Sequence, residues 1–365
     1  MRILLIGGSG LISTAIAREL ITRGDDLTLY NRGQRQTEPP VGAKLITGDR
    51  RDQPQFEVQM AAAGTFDAVI DMVCFQPHEA ASAIRTFAGK TGQYVFCSTV
   101  DVYTKPALTY PISEDAERCP RASFPYALHK AECENLFFAA QANRVLPVTI
   151  IRPAYTYGEG VAPLHTFGWG TFVLERMRRG QPIIVHGDGR SLWAACHRDD
   201  VAHAFVGALG KPSAIGKAYT VAGSEWLTWD CYHEILAQAL GVSAPNLVHI
   251  PSDLLGRAEP QVAMWCVENF SYNNIFDTTS AQTDLSFTYT VSWREGAERM
   301  LRWLEAQLRP VEPEPAYYQR ILDAWEKLGA ALVDEVNRAH LALVSHLCHP
   351  GIQVVHGRPS FKCEV

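Results

Sequence analysis

Residues 2–13 read RILLIGGSGLIS, an apolar run that leads directly into a glycine-rich turn and a second apolar stretch. The run Arg2–Ile6 predicts a buried strand, and Leu11–Thr22 predicts the helix that follows it. Glycine in such a turn lets the backbone approach a pyrophosphate, and the N-terminus of the helix supplies unpaired N–H donors. The candidate residues for a dinucleotide-binding loop are therefore Gly7, Ser9, Gly10, Leu11 and Ile12.

Strand and helix patterns continue to alternate through the first 150 residues. Further strands are predicted at Leu27–Tyr30, Ala43–Thr47, Phe66–Val73, Gln93–Ser98 and Val148–Arg152, and helices at Pro77–Phe87 and about Ser123–Ala142. Repeated strand–helix–strand units imply parallel strands joined by right-handed crossovers. The expected fold class is α/β, a Rossmann-type doubly wound parallel sheet.

The second half of the chain has a different texture. Glycine, proline and aromatic residues crowd positions 155–170, and helical patterns return at Asp199–Leu209 and Thr228–Leu240. We expect a smaller C-terminal α/β substrate lobe over residues 156–308. The dinucleotide-binding domain would then span residues 1–155, with segments from about 190–215 returning to it.

Residues 309–365 form a C-terminal extension after a proline-rich linker. Apolar residues recur there at helical spacing and predict one amphipathic helix over Ala316–Leu347. We expect its apolar stripe to cover the substrate lobe or the seam of a homodimer.

Composition argues against several classes of protein. The 365 residues carry 33 Lys and Arg against 39 Asp and Glu, a formal charge of −6, so we expect no nucleic-acid partner. No apolar run reaches the roughly 18 residues of a membrane span, and the N-terminus lacks the pattern of a signal peptide. The nine cysteines are scattered without a C-x-x-C pair, so no metal site is expected. We expect a cytoplasmic protein with a small-molecule substrate and no membrane partner.

The end of the second strand bears on the choice of nucleotide. NAD sites usually carry Asp or Glu about 20 residues after the loop, whereas this chain has Asn31 followed by Arg32 and Arg35. Asn31 can hydrogen-bond a ribose without repelling a 2′-phosphate, and the two arginines can pair with one. NADP(H) is therefore expected to bind at least as well as NAD(H). The alternative is two solvated arginines beside an ordinary NAD site.

A catalytic pair is predicted on the helix near residue 130. Tyr126 and Lys130 form a Y-x-x-x-K pattern, and residues four apart share one face of a helix. A base that works near neutral pH needs a phenol pKa below the usual value of about 10, and an adjacent ammonium favours the phenolate. The strand upstream ends in Cys97, Ser98 and Thr99, so Thr99 could share a hydrogen bond with a substrate oxygen and Tyr126.

With the glycine loop, Thr99 and the Tyr126/Lys130 pair in order, the chain resembles the extended short-chain dehydrogenase/reductases, and more narrowly the NAD-dependent epimerase/dehydratase family. The resemblance covers about residues 1–308. Further matching segments are Gly48–Arg50, Val102–Tyr103, Arg152–Pro153, His186–Gly189 and Asp199–Ala202.

The resemblance implies roles for several residues in binding NAD or NADP. Asp49 and Arg50 would lie against the adenine, and Val73 would lie near the phosphates and ribose. Lys130 would hold the nicotinamide ribose, and Pro153 would abut the nicotinamide. Cys97, at the strand end before Thr99, is counted with the cofactor-binding residues.

Departures from the family pattern concern the substrate. Sugar dehydratases of the family carry Asp-Glu after the catalytic Thr, whereas this chain has Val100 and Asp101. Asp101 is either an extra acid/base or a solvated loop carboxylate. Tyr155 stands where nucleotide-sugar enzymes usually have Asn, and no arginine occupies the usual diphosphate contact near Asn269. Arg190, Arg198 or Arg257 could compensate. The candidate substrate residues are Phe75, Thr99, Tyr155, Trp193 and Arg190.

The leading interpretation is an NAD(P)-dependent sugar epimerase that works through a transient ketone, with nucleotide sugars among the candidate substrates. Tyr126 would be the acid/base, Lys130 would lower the pKa of its phenol, and Thr99 would stabilise the oxyanion. One alternative is an NADP-dependent reductase or dehydrogenase of a ketone or secondary alcohol. Alternatives of another class are a redox sensor and an RNA-binding protein, since Phe66–Pro77 resembles chloroplast stem-loop-binding relatives. The net charge and the retained catalytic pair argue against RNA binding.

Overall fold

The structure is a computed structural model that describes residues 1–34, 39–307 and 311–347. The strands are β1 (Arg2–Ile6), β2 (Asp26–Asn31), β3 (Lys44–Thr47), β4 (Ala68–Asp71), β5 (Tyr94–Cys97), β6 (Val148–Pro153), β7 (Tyr155–Tyr157), β8 (Leu164–His165), β9 (Gly168–Trp169), β10 (Ile183–His186), β11 (Leu192–Trp193), β12 (Ala195–His197), β13 (Ala218–Val221), β14 (Leu227–Thr228) and β15 (Leu247–Ile250). The helices are α1 (Leu11–Arg23), α2 (Gln53–Ala63), α3 (Pro77–Phe87), α4 (Pro125–Ala142), α5 (Phe172–Arg178), α6 (Arg198–Ala208), α7 (Trp229–Ala239), α8 (Ser252–Ala258), α9 (Thr279–Leu285), α10 (Trp293–Ala306) and α11 (Ala316–Leu347).

Seven strands form the central sheet, in the order β13-β6-β5-β4-β1-β2-β3. Every neighbouring pair in it runs parallel, which confirms the predicted doubly wound sheet. The chain builds outward in one direction through β2 and β3 and in the other through β4, β5 and β6. Ligands of such sheets bind at the point of reversal, here between β1 and β4, beyond the carboxyl ends of the strands.

Apolar side chains bury the sheet on both faces. On one face, Ile16 of α1 and Phe205 of α6 belong to the same core as Leu5. On the other face, Phe56 of α2 and Phe137 of α4 pack with the alternate side of the strands. Because helices cover both faces, the loops at the carboxyl edge of the sheet are the part of this domain left to bind ligands.

Two elements of this domain differ from the sequence prediction. Helix α2 was not predicted, because only Phe56 and Met60 of its eleven residues are buried and they give a weak apolar period. The seventh strand, β13, comes from the second half of the chain and pairs with β6. It begins at Ala218 and so lies beyond the 190–215 segment expected to return to the first domain.

Of the described residues, those up to residue 313 form one compact unit, and residues 314–347 belong to a second. The predicted boundary between a dinucleotide domain and a substrate lobe at residues 155–156 stays a prediction. In the second unit, α11 spans Ala316–Leu347 as the apolar spacing predicted. Among the described helices, none combines the length and the apolar content needed to cross a membrane.

Candidate active site

The carboxyl ends of the parallel strands bring most of the predicted site residues to one edge of the sheet. The glycine loop follows β1, Val73 follows β4, Thr99 follows β5, and Pro153 ends β6. Two cavities open at this edge, one along the glycine loop and one beside Thr99. The rings of Phe75 in the first cavity and Tyr126 in the second lie 6.5 Å apart, so the two cavities adjoin.

The first cavity encloses about 370 Å³ and has the position of a dinucleotide cleft. The predicted cofactor residues that line it are Gly7, Ser9, Gly10, Asn31, Arg32, Asp49, Arg50 and Val73. Ile12, Cys97 and Pro153 instead line the second cavity. Leu11 is the first residue of α1 behind the loop, and Arg35 lies outside the described residues.

The glycine loop has the form that a pyrophosphate requires. Gly7 has a φ of +88°, and a Cβ atom built on it would lie 2.5 Å from Cγ1 of Val73. Helix α1 begins after Gly10, and no side chain caps its N-terminus. Backbone N–H groups at an uncapped N-terminus suit an anion. These residues therefore fit the diphosphate of NAD or NADP.

Polar groups at the ends of β2 and β3 form the far end of the cleft. The Asn31 side-chain oxygen accepts a hydrogen bond of 2.9 Å from the Gly33 amide, so its NH₂ group is left as the donor. Arg51, which the sequence analysis did not single out, pairs with Asp49 at 2.7 Å. The Arg51 contact lowers the pKa of Asp49 to about 2.

Arg50 is buried in the cleft wall. Its guanidinium lies 3.1 Å from Asp71, donates a 2.8 Å hydrogen bond to the Glu79 carbonyl and lies over the Phe56 ring. Asp71 in turn accepts a 3.0 Å hydrogen bond from the Val73 amide. Arg50 therefore ties the ends of β3 and β4 together.

The second cavity encloses about 200 Å³ and is mainly aromatic. Its aromatic wall consists of Tyr126, Tyr155, Trp169, Trp193, Trp265, Phe270 and Phe276. Of the described residues, no Lys, Arg or His lines it. Arg190 has an exposed side chain, Arg198 pairs with Glu159 and Asp199, and Arg257 is exposed beside Asp253. The cavity thus lacks the cations that a buried diphosphate requires.

The predicted catalytic pair lies on α4, with Tyr126 in the first turn and Lys130 one turn further on. Lys130 is buried, and its ammonium donates to the carbonyls of Cys74 at 2.8 Å and Cys97 at 2.6 Å. It also lies over the Phe75 ring, 4.6 Å from the ring centre. Lys130 therefore joins the ends of β4 and β5 between the two cavities.

The electrostatics of Tyr126 differ from the sequence prediction. Burial raises the pKa of the Tyr126 phenol above its usual value, and the Asp101 carboxylate raises it further, while Thr99 opposes the shift. Lys130 was predicted to lower this pKa, but its ammonium is engaged by two backbone carbonyls. In the protein itself Tyr126 is therefore a proton donor at neutral pH.

Thr99 and Asp101 form one hydrogen-bonded unit in the wall of the second cavity. The Thr99 hydroxyl donates to Asp101 at 3.0 Å, and its predicted hydrogen bond with a substrate oxygen stays a prediction. Asp101 is 7% exposed, which excludes the alternative of a solvated loop carboxylate. Burial raises the pKa of Asp101, and Lys105 opposes that shift.

The predicted substrate residues separate into three groups. Thr99, Tyr155 and Trp193 line the second cavity. Phe75 lines the dinucleotide cleft instead. Arg190 lines neither cavity. It lies in an exposed turn, where its backbone N–H donates to the Asp188 carboxylate.

Three polar residues at the second cavity, Lys105, Asn269 and Asn274, were not predicted from the sequence. The two asparagines line the cavity, and Lys105 is absent from its lining. The Lys105 ammonium donates to the side-chain oxygens of both asparagines. The Asn269 amide donates to Asp101 at 2.8 Å. The two asparagines follow Lys105 by more than 160 residues, so no local spacing signals the cluster.

The comparisons with known proteins agree with this geometry. Residues 79–222 match the model of the NAD dependent epimerase/dehydratase family. The chain is 28% identical over 267 residues to the chloroplast stem-loop binding protein of 41 kDa b of Arabidopsis thaliana, with 68% of this chain and 65% of that protein aligned. It is 26% identical over 277 residues to 2′-dehydrokanamycin reductase of Streptomyces kanamyceticus, covering 76% and 77% of the two chains.

The fold is also that of solved epimerases. The UDP-glucose 4-epimerase of Thermotoga maritima, solved with UDP-glucose, superposes with a TM-score of 0.68 at 19% identity. The superposition covers 85% of this chain and all of that one. The superposition shows a shared fold, and residues 79–222 carry the match to the NAD dependent epimerase/dehydratase family.

Proposed function

We propose that the protein is an NAD(P)-dependent reductase, which interconverts a ketone and a secondary alcohol. The observation that carries this proposal is the position of the Tyr126 phenol, whose pKa is raised by burial, in an aromatic cavity that adjoins the dinucleotide cleft. A reduced dinucleotide held at the glycine loop would supply the hydride for the carbonyl carbon. Tyr126 delivers the proton to the carbonyl oxygen, and the aromatic walls provide an apolar surround for the substrate.

The cavity supports a reductase better than the sugar epimerase that the family resemblance favours. An epimerase must retain its ketone while the ketone turns, and a diphosphate can provide such an anchor. Each charge-assisted hydrogen bond that is lost at a buried diphosphate costs about 1.5–3 kcal/mol. Because no basic side chain of the described residues lines the cavity, a ketone formed there is free to leave.

NADP(H) is the preferred cofactor in this proposal. The Asn31 side chain presents a donor at the end of β2, where a carboxylate would repel a 2′-phosphate. Arg32 lies beside it in the cleft with an exposed side chain. An arginine free to form a bidentate pair favours a phosphate over a hydroxyl.

The test is a turnover assay with both reduced cofactors and a panel of cyclic and open-chain ketones, run on the wild type and on Tyr126→Phe. We expect NADPH consumption with at least one ketone, and a loss of about a hundredfold or more in Tyr126→Phe. Native mass spectrometry of the purified protein identifies any retained dinucleotide. Conversion of UDP-glucose to UDP-galactose without net cofactor consumption would instead establish the epimerase.

RNA binding is a separate candidate, favoured by the similarity to the stem-loop binding protein. The formal charge of −6 argues against it, because nonspecific RNA affinity depends on cationic side chains. Filter binding of a structured RNA at physiological salt separates the candidates. Tight RNA binding by a protein that turns over no ketone would favour the RNA-binding function.

A further inference from the structure

The polar cluster of Asp101, Lys105, Asn269 and Asn274 at the wall of the second cavity contains one buried lysine. The side chain of Lys105 is 6% exposed, and its ammonium lies 3.7 Å from an Asp101 oxygen. Its hydrogen bonds go to the side-chain oxygens of Asn269 and Asn274, which are 3% and 1% exposed. Lys105 is absent from the cavity lining, so it acts on a substrate only through these neighbours.

Asp101 connects this lysine to the catalytic groups. Its second oxygen accepts from the Thr99 hydroxyl, and Thr99 stands next to Tyr126 in the cavity wall. The charged or titratable groups that face Asp101 among the described residues are Lys105 from the loop after β5 and Tyr126 from α4. Lys105 is thus the cation of this cluster.

We propose that Lys105 is a positioning residue that keeps Asp101 ionised and thereby fixes the direction of the Thr99 hydrogen bond. An ionised carboxylate only accepts hydrogen bonds, so the single hydroxyl proton of Thr99 must point at it. The Asn269 amide is fixed in the same way, because its oxygen faces Lys105 and its NH₂ faces Asp101. Tyr126 is then the one cavity group of this unit with a proton to give.

Loss of the ammonium would reverse this arrangement. A buried carboxyl without a cation takes up a proton, since burial penalises its charged form. Protonated Asp101 donates to Thr99, and the Thr99 proton turns toward Tyr126 and the substrate. The inference rests on the proposed function only where it names Tyr126 as proton donor, and the protonation of Asp101 is measurable without turnover.

Infrared difference spectroscopy at neutral pH tests the proposal directly, because the C=O stretch of a protonated carboxylic acid is absent from a carboxylate. The difference spectrum between the wild type and Asp101→Asn should lack that band, because Asp101 is ionised in the wild type. Lys105→Met should gain it, and the Lys105→Met/Asp101→Asn double variant should lose it again. Lys44→Met, which removes an exposed partner of Asp26, is the matched control and should gain no band.

Kinetics with a ketone identified by the turnover assay provide a second readout. Lys105→Met should lower kcat about tenfold in the wild type and much less in the Asp101→Asn background, as coupled residues do. The KM for NADPH should not change. A protonated-acid band from Asp101 in the wild type would overturn the proposal, and this outcome can be observed even if Lys105→Met fails to fold. A Lys105→Met variant that folds but shows no such band would also overturn it.

Discussion

Val73 fills the space that a side chain on Gly7 would need. The Cβ of any other residue there would lie 2.5 Å from Cγ1 of Val73, and the backbone φ of +88° already favours glycine. The two residues follow β1 and β4, the strands on either side of the switch point of the sheet. Their contact therefore sets how closely the loop backbone approaches a bound pyrophosphate.

Gly7→Ala should reduce NADPH affinity by about tenfold or more, because it adds backbone strain of about 1–2 kcal/mol and forces Val73 away from the loop. Fluorescence titration with NADPH measures the loss. Gly24→Ala is the matched control, since Gly24 has a φ of +85° but no atom within 4 Å of its Cβ position. Gly24→Ala should lower the stability of the fold and leave the NADPH affinity unchanged. An equal loss of NADPH affinity in both variants would contradict the explanation.

The parts of the molecule that follow from local sequence were predictable. The glycine loop, the Tyr126/Lys130 spacing and the helix Ala316–Leu347 each depend on residues close together in the chain. The parallel sheet followed from repetition of the strand–helix unit. Strand β13 did not follow, because a four-residue strand distant from β6 gives no sign of its pairing partner.

The electrostatics of the site depended on tertiary contacts that a sequence does not contain. The Tyr126/Lys130 spacing did not reveal that burial and Asp101 raise the pKa of Tyr126, or that the Lys130 ammonium donates to carbonyls at two other strand ends. The predicted lowering of this pKa by Lys130 stays a prediction. Asp101 was recognised as a possible acid/base. Its partner Lys105 lies four residues away, but the asparagines that hydrogen-bond the Lys105 ammonium, Asn269 and Asn274, lie far along the chain.

Arg32→Ala should weaken NADPH binding by about tenfold to a hundredfold and leave NADH binding nearly unchanged, since one charge-assisted contact is worth about 1.5–3 kcal/mol. The ratio of the two dissociation constants is the measurement. Arg257→Ala, an exposed arginine with only a 3.5 Å contact to Asp253, controls for the lost net charge. An unaltered ratio in Arg32→Ala would rule out Arg32 as a 2′-phosphate ligand.

The raised pKa of Tyr126 predicts opposite pH dependences for the two directions of reaction. Ketone reduction needs the protonated phenol, which persists through neutral pH. Its kcat should therefore stay level from about pH 6 to 7.5, below the pKa of about 8 to which burial lowers Lys105. Alcohol oxidation needs the phenolate, whose fraction rises tenfold per pH unit below the pKa, so its rate should climb throughout that range. An oxidation rate that levels off near pH 7 would show that the bound dinucleotide lowers the pKa.

Three buried histidines predict a loss of stability in mild acid. Burial lowers the pKa of His165, His186 and His233 to about 3, 4 and 3. Their unfolded pKa is about 6.5, so below that pH the unfolded state binds more protons than the folded state. The stabilisation is complete above pH 6.5 and falls by about 1.4 kcal/mol per pH unit for each histidine as the pH decreases.

His233→Phe should make that dependence shallower by about one proton, measured as the free energy of urea unfolding between pH 5 and 7. The same slope in His233→Phe and the wild type would mean that other groups cause the acid sensitivity.

Helix α11 bears on the expected homodimer, because Leu328, Leu332 and Val336 recur every fourth residue and are 53%, 64% and 58% exposed. If this stripe is the seam between two copies, Leu332→Lys should weaken the dimer by about tenfold or more, since burial of one leucine contributes about 1.5–3 kcal/mol. Asp334→Lys introduces the same side chain two residues on, away from the stripe, and should leave the mass of the assembly unchanged.

Light scattering over a concentration series measures the mass of both variants. A monomeric wild type, or an unaffected dimer in Leu332→Lys, would exclude the stripe as a seam.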